Sequence, residues 1–361
     1  MTQTRTGIGI IGCGVISEIY LKNLTSWPDV EVVAVADMLY ERAEQRAKEF
    51  NVGANTVEQL LANPDVDVIL NLTIPAAHAE VGMAALNAGK AIYTEKPLAA
   101  KRADGKLLID LAAETGLRIG GAPDTFLGGS LQTCRKLLDD GVIGEPVAAT
   151  AFFASHGPET WHPQPEFFYL AGGGPMFDMG PYYVTALATL LGGIRRVSGS
   201  ARASFAERVV GPLDKPGRTI PVAVPTHIAS VLDFESGPIA TLVTSFDVWA
   251  SEGPRIEIYG TLGTLSVPDP NNFGDPVRVR MAGEKSWRDC PIEFGFTKNS
   301  RGIGLRDMAR AMRDGGPHRA DGALTYHVLD VMTSIFEASA EGRHIEIESR
   351  YSRPAPLTPF S

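Results

Sequence analysis

Over the first third of the chain, short apolar runs alternate with amphipathic ones. Strand-like runs fall at 8–11, 31–36, 67–72, 90–94 and 117–120, and helical periodicity falls near 15–24, 40–50, 56–62, 77–88 and 101–115. Near-continuous apolar strands separated by helices belong to a parallel, doubly wound sheet covered on both faces. Asn63-Pro64 and Gly89 stop two of the helices where the alternation requires it. Past Ala122 the rhythm changes. A helix at 131–140 ends at Gly141, a long strand follows at 146–155, and the loop 156–174 is rich in Gly, Pro and aromatics before a helix running to about 191. From 196 to about 295 apolar and polar residues alternate, as in His227-Ile228-Ala229-Ser230-Val231-Leu232-Asp233-Phe234, with turns such as Ser236-Gly237-Pro238 between them. Period-two alternation predicts a large open, mostly antiparallel sheet with one face buried. Helices return at 303–314 and 322–341, and 350–361 reads as a loose tail. The expected organisation is an α/β domain at 1–122 and an α+β domain at 123–361, with a sheet face left for a substrate site or a subunit interface.

Composition narrows the function classes. The 361 residues carry 33 Lys and Arg against 42 Asp and Glu, a net charge of −9, which argues against a nucleic-acid surface. Hydrophobic content of 44% is that of a globular protein, and no run approaches the length of a membrane span. Cys13, Cys134 and Cys290 are odd in number and widely spaced, so neither a disulfide framework nor a metal knuckle is expected. No Cys/His or carboxylate cluster has metal-ligand spacing. Met1-Thr2-Gln3-Thr4-Arg5-Thr6 leads straight into the first strand without an apolar segment, so a cytoplasmic location is expected.

The chemistry begins at Gly12-Cys13-Gly14-Val15-Ile16-Ser17, between the first strand and the first helix. Strand, glycine turn and helix start together form the Rossmann dinucleotide-binding arrangement. The first glycine makes the tight turn and the second lets backbone approach a pyrophosphate at the helix N-terminus. Ser17 stands at the third glycine position, small enough for close helix–strand contact. Gly12, Gly14, Val15 and Ile16 are the expected cofactor contacts. The second strand ends at Asp37, 25 residues beyond Gly12, near the position roughly 20 residues on where a carboxylate accepts hydrogen bonds from an adenosine ribose. An N-cap for the helix near 40–50 is the alternative use. A carboxylate there repels a 2′-phosphate and favours NAD over NADP, with Arg42 the one nearby basic residue that argues the other way.

Further candidates lie at the carboxyl ends of later strands, where open α/β sheets place their ligands. Glu95-Lys96-Pro97 follows one such strand, and a surface lysine paired with Glu95 is the plainer alternative. His78 opens the helix after another, within reach of a cofactor, although a helix-start histidine bonded to backbone fits as well. In the second domain, His156-Gly157-Pro158-Glu159-Thr160-Trp161-His162 offers donors and flat apolar faces suited to a sugar ring, or to an oligomer contact. Asp124, near the domain boundary, is a candidate for binding a hydroxyl. Gly172-Gly173-Gly174-Pro175 reads as a helix start, which sets Asp178 and Tyr182 four apart on one face and Pro181 inside the helix at the loss of one hydrogen bond. A phenol, with a reference pKa of about 10, serves as a base near neutrality only beside a cation; Lys96 is the candidate.

Gly12-Cys13-Gly14, Asp37, the stretch from Thr73 to Glu80, Ala88-Gly89-Lys90, Glu95-Lys96-Pro97-Leu98 and the stretch from Gly172 to Tyr182 together resemble the Gfo/Idh/MocA oxidoreductase family. The match spans both domains and its motifs arrive in order. It implies an NAD(P)-dependent dehydrogenase or reductase acting on a sugar, cyclitol or related polyol, assembled as a homodimer or homotetramer through the C-terminal sheet. Lys96, Asp178 and Tyr182 are its implied catalytic residues, Thr73, Pro75, Glu95 and Lys96 its implied cofactor contacts, and Lys96, Asp178 and Tyr182 also join Asp124, His156, Trp161 and His162 as expected substrate contacts. Two departures stand out: Tyr182 replaces the family's usual histidine, and Ile74 stands where a Thr-Pro pair is commoner. Two other classes stay open: an NAD-dependent glycosidase using transient oxidation and elimination, and a non-catalytic NAD-binding regulator, against which the intact set of Lys96, Asp178 and Tyr182 argues.

Overall fold

In a computed structural model, which describes residues 5–162, 164–211 and 217–358, the chain forms two compact units. One comprises residues up to 128 together with 296–329, the other residues 129–295 together with 330–361.

The first unit holds a parallel sheet of β1 (Thr6–Ile11), β2 (Val30–Ala36), β3 (Gly53–Ala54), β4 (Val68–Asn71), β5 (Ala91–Thr94) and β6 (Ile119–Gly121), in the order β3-β2-β1-β4-β5-β6. The connecting helices are α1 (Ser17–Leu24), α2 (Tyr40–Phe50), α3 (Val57–Ala62), α4 (His78–Asn87) and α5 (Arg102–Thr115). Every residue of β1, β4 and β5 is buried, which is why these strands read as unbroken apolar runs. β3 carried no sequence signal, since it consists of one glycine and one alanine. Strand order reverses between β1 and β4, and the crevice at their carboxyl ends is the expected ligand position.

The second unit begins with α6 (Gly129–Asp139) and β7 (Pro146–Ala154), followed by α7 (Gly174–Asp178) and α8 (Gly180–Leu191). Then come β8 (Ile194–Arg202), the short pair β9 (Glu207–Val209) and β10 (Thr219–Pro221), β11 (His227–Phe234) and β12 (Ile239–Ser245). β13 (Ile256–Gly260), β14 (Gly263–Val267), β15 (Val277–Met281) and β16 (Arg288–Cys290) complete that stretch. After α9 (Ile303–Asp314) and α10 (Gly322–Glu341), β17 (Ile345–Glu346) returns to the sheet, whose order is β16-β15-β14-β13-β7-β12-β11-β8-β17. All its pairs are antiparallel except β7 with β12, which a long crossover joins.

Four expectations need correction. The second domain was expected to run unbroken from 123, whereas α9 and the start of α10 group with the first unit and the boundary falls at 128. Side chains explain this: Asp29 accepts from Arg306 Nε at 2.8 and 3.0 Å and from Arg310 Nε at 2.5 Å, and Thr6 Oγ1 donates to the Ala309 carbonyl at 3.5 Å. The helix expected from Gly174 to about 191 breaks at Met179 (φ −108°, ψ −24°). Pro181 consequently sits in the first turn of α8, where no N–H is required, and the expected loss of a hydrogen bond disappears. The tail is not loose over 350–358: Tyr351 is buried, Arg353 Nη1 donates to the Leu190 carbonyl at 2.9 Å, and the Leu357 N–H donates to Gln132 Oε1 at 2.8 Å; its last residues, 359–361, lie outside the described ones. Finally, a sheet face left for a subunit interface should be apolar, whereas the face opposite the buried residues is mixed. Across five strands its register runs Ser198, Val231, Thr241, Thr150, Glu257.

Candidate active site

The turn between β1 and α1 shows two different demands for glycine. Gly12 has φ +105°, and a Cβ there would lie 2.6 Å from both the carbonyl carbon and the oxygen of Leu72, so the fold itself requires it. Among the described residues a Cβ on Gly14 would meet nothing within 4 Å. The protein leaves that space open, directly before a helix whose N-terminus has no side-chain cap. The Ser17 and Glu18 N–H groups donate to the Gly14 and Val15 carbonyls at 3.2 and 3.4 Å, and a helix N-terminus beside open space is where an anion can bind. Ser17, fully buried, donates its hydroxyl to the Gly14 carbonyl at 2.6 Å and shapes the turn from beneath.

Asp37 closes the other side. Its Oδ2 accepts the Cys13 N–H at 2.8 Å and its Oδ1 the Leu39 N–H at 2.9 Å, so the carboxylate ties the end of β2 to the glycine turn. Each oxygen keeps a further lone pair for a ligand hydroxyl. Burial, followed by the charge of Asp37, pushes the Cys13 thiol up to about 12, which keeps it an inert thiol. Val15 and Met38 are each 92% exposed and Ile74 is 70% exposed, all just past the carboxyl ends of β1, β2 and β4. Exposed apolar side chains around an anion cradle supply faces for a flat heteroaromatic base. Sequence reasoning passed over Met38, whose only signal is a large apolar side chain in a turn.

At the ends of β4 and β5 the expected contacts separate into surface and support. Thr73 and Pro75 are half-buried in the loop after β4. His78, expected to reach a cofactor, is completely buried, with Nδ1 2.7 Å from the Pro97 carbonyl and Nε2 3.0 Å from the Thr73 carbonyl. Burial lowers its pKa, and a neutral ring donates to one of those carbonyls at a time. Asn71 completes the brace: its Oδ1 accepts from the Thr73 hydroxyl at 2.7 Å and its Nδ2 donates to the His78 carbonyl at 3.1 Å. Glu95 is also buried and engaged, accepting the Tyr20 hydroxyl at 2.7 Å and the Lys96 N–H at 2.9 Å. His78 and Glu95 therefore hold the loops that carry Thr73 and Lys96, rather than offering a face of their own. Asp124 departs furthest from expectation. It is 1% exposed, and its Oδ2 accepts the Gly302 and Gly304 N–H groups at 2.8 and 3.0 Å, which makes it the cap of α9. A carboxylate so enclosed is no hydroxyl-binding group.

In the second unit, Asp178 ends α7, half-buried, and Tyr182 is buried in the first turn of α8, its N–H donating to the Met179 carbonyl at 3.1 Å. The loop before them splits its expected residues. Trp161 is 71% exposed, and His162 packs edge-on against Trp161, Phe167 and Phe168 at 5.4–5.5 Å between ring centres. His156 lies flat against Trp249, 3.3 Å between ring centres and 12° from parallel. Trp249, 65% exposed, is a second flat aromatic surface, one that no motif or spacing singles out. Among the described residues no group of His, Cys, Asp and Glu is placed to hold a metal, and no helix is long and apolar enough to cross a membrane.

Comparison with known proteins agrees with this geometry. Residues 6–121 match the model of an oxidoreductase family with an NAD-binding Rossmann fold, and residues 131–266 match the GFO/IDH/MocA C-terminal domain. The chain is 28% identical over 347 residues to a 1,5-anhydro-D-fructose reductase from Ensifer adhaerens, covering 94% of this chain and 98% of that one. It is 35% identical over 164 residues to an inositol 2-dehydrogenase from Salmonella paratyphi B, covering 43% of this chain and 48% of that one. A levoglucosan dehydrogenase solved in complex with NADH shares its fold, with a TM-score of 0.80 at 20% identity over 96% of this chain and all of that one.

Proposed function

The chain belongs to the Gfo/Idh/MocA family of NAD-binding oxidoreductases, and from that premise we propose that it moves a hydride between NAD and a hydroxyl-bearing carbon of a sugar, cyclitol or related polyol. The observation that carries the proposal is the open space at Gly14. It faces an uncapped helix N-terminus and is closed on one side by the Asp37 carboxylate, and these residues fit a dinucleotide. Gly12, Gly14, Val15 and Ile16 hold the pyrophosphate and Asp37 the ribose, while Thr73, Pro75 and Lys96 serve the nicotinamide side. His78 and Glu95 brace that side from behind. Asp37 favours NAD over NADP, because a carboxylate repels a 2′-phosphate.

Bound nicotinamide supplies the hydride acceptor or donor. The chain's own residues handle the proton and the oxygen. Tyr182 exchanges the hydroxyl proton, Lys96 binds the reacting oxygen with its positive charge, and Asp178 orients Lys96 or binds a neighbouring hydroxyl. Trp161, His156 and His162 line the substrate loop. The two domains divide the labour, the first for the cofactor and the second for substrate and subunit contact.

Screening aldoses, inositols and glycosides for NADH formation tests the reading, with product analysis for each. Release of an aglycone without net NADH would identify a glycosidase. Tight NAD binding with no turnover of any compound would identify a regulator. Assembly as a homodimer or homotetramer through the face carrying Val231, Thr241 and Thr150 is part of the same reading, as is a cytoplasmic location. Light scattering that gives the mass of a single chain at micromolar concentration would refute the assembly.

A further inference from the structure

Arg208, in β9, is enclosed within the second unit, with 4% of its side chain exposed. Its Nη1 donates to Glu159 Oε1 at 3.2 Å, and its Nη2 donates to the Phe246 carbonyl at 2.9 Å and to Asp247 Oδ1. Glu159 also accepts the Tyr169 hydroxyl, and Asp247 accepts Thr226 Oγ1 at 2.7 Å. The guanidinium carbon lies 4.9 Å from the centre of the Phe205 ring and 5.6 Å from that of Tyr169. One cation thus joins the loop 159–169, the arm 205–208 and the segment 246–247.

Buried ion clusters are a poor source of stability, since apolar side chains of similar volume commonly do as well. This cluster is not even balanced: two carboxylates surround one guanidinium, and among the described residues the buried Arg208 Nε has no hydrogen-bond partner. What a guanidinium does provide is a rigid planar fork that fixes the directions of its partners. The partners are informative. Glu159 lies two residues before Trp161, and Asp247 two residues before Trp249, the two exposed indoles of this region. Tyr169 leads into the glycine triplet, where a Cβ on Gly173 would lie 2.5 Å from the Phe167 carbonyl oxygen. That close approach, with the Gly173 N–H donating to the Leu170 carbonyl at 2.8 Å, ties the end of the loop to the start of α7, which carries Asp178.

We infer that Arg208 is a positioning residue, which sets the aromatic substrate loop and α7 from behind without itself meeting the substrate. The inference rests on the oxidoreductase reading above, and its test separates the two. With the best substrate found, Arg208→Met should lower kcat/KM by roughly 10- to 100-fold, as expected for misplaced binding groups. Most of the loss should lie in KM, with NAD affinity unchanged, and Arg208→Lys should recover part of it. A merely structural role would reduce the yield of folded protein and leave KM of the folded fraction unaltered. Without substrate, hydrogen exchange over residues 164–173 should accelerate in Arg208→Lys and in Glu159→Gln, two milder changes that carry the test if Arg208→Met does not fold. Unchanged exchange over that stretch would overturn the inference, as would an unchanged KM in folded variants. If the unaltered protein oxidises no polyol, the functional reading fails while the exchange experiment still decides the role of Arg208.

Discussion

Asp124 allows a magnitude to be worked from the structure. Its carboxylate is 1% exposed and caps α9 through the Gly302 and Gly304 N–H groups. Burial raises its pKa to about 6, outweighing those two hydrogen bonds, which act in the opposite direction. The unfolded value is that of an ordinary aspartate, 3.8. The native state therefore holds its proton more tightly than the unfolded state, so this group's contribution to stability declines as pH rises through the interval between the two values. Two pKa units correspond to about 3 kcal/mol in total, of which about 2 kcal/mol falls between about pH 4.5 and 7.5. Asp124→Asn keeps a carbonyl oxygen for the same N–H groups and cannot ionise. The strain of placing its amide group adds an offset that does not change with pH. Denaturant unfolding of both proteins across that interval should show the variant gaining about 2 kcal/mol on the wild type as pH rises. A constant difference, or one running the other way, would refute the reasoning.

The remaining predictions concern the cofactor and the chemistry. Gly12→Ala should destabilise the fold, because the position needs positive φ and meets Leu72. Gly14→Ala should leave thermal unfolding nearly unchanged and weaken NADH binding, measured by fluorescence titration; unaltered NADH affinity would remove the pyrophosphate assignment. Asp37→Ser should narrow or reverse the preference for NAD over NADP, and equal dissociation constants in the unaltered protein would already contradict the ribose assignment. Tyr182→Phe should lower kcat by roughly 10² to 10⁴ with NAD affinity preserved. Lys96→Met should lower it at least as much, and the double variant little further. If Tyr182→Phe retains most of its kcat while Lys96→Met is inactive, the lysine is the base and the tyrosine positions.

Much of the fold was legible because its signals are local. Strands buried on both faces have to be apolar throughout, and so β1, β4 and β5 stood out with their turns. α9 was legible in extent through its one apolar face, and α10 through a mostly apolar run that is buried on nearly all sides. What periodicity does not encode is the partner. Nothing in residues 303–314 shows that Arg306 and Arg310 meet Asp29, so α9 was assigned by its place in the chain to the wrong unit. β3 failed differently: two small residues contribute backbone hydrogen bonds to β2 and no pattern at all.

At the candidate site the division falls between residues chosen for what their backbone must do and residues chosen for what their side chains offer. Gly12 and Gly14 were found because a tight turn and a close approach are properties of glycine in sequence, and the structure then separates the two roles by what a Cβ would meet. Asp124, His78 and Glu95 were found by side-chain chemistry near the right strands, and all three turn inward: one caps a helix, one links two carbonyls, one holds the Lys96 N–H. A polar residue at the end of a buried strand has two ways to satisfy its hydrogen bonds, through a ligand or through the backbone, and sequence does not distinguish them. Burial does. Those three are enclosed, whereas Val15, Met38, Ile74, Trp161 and Trp249 are exposed beyond what apolar side chains gain from water. On the proposed reading, these five exposed apolar residues would border the cofactor and the substrate, while the three buried polar ones hold the loops behind them.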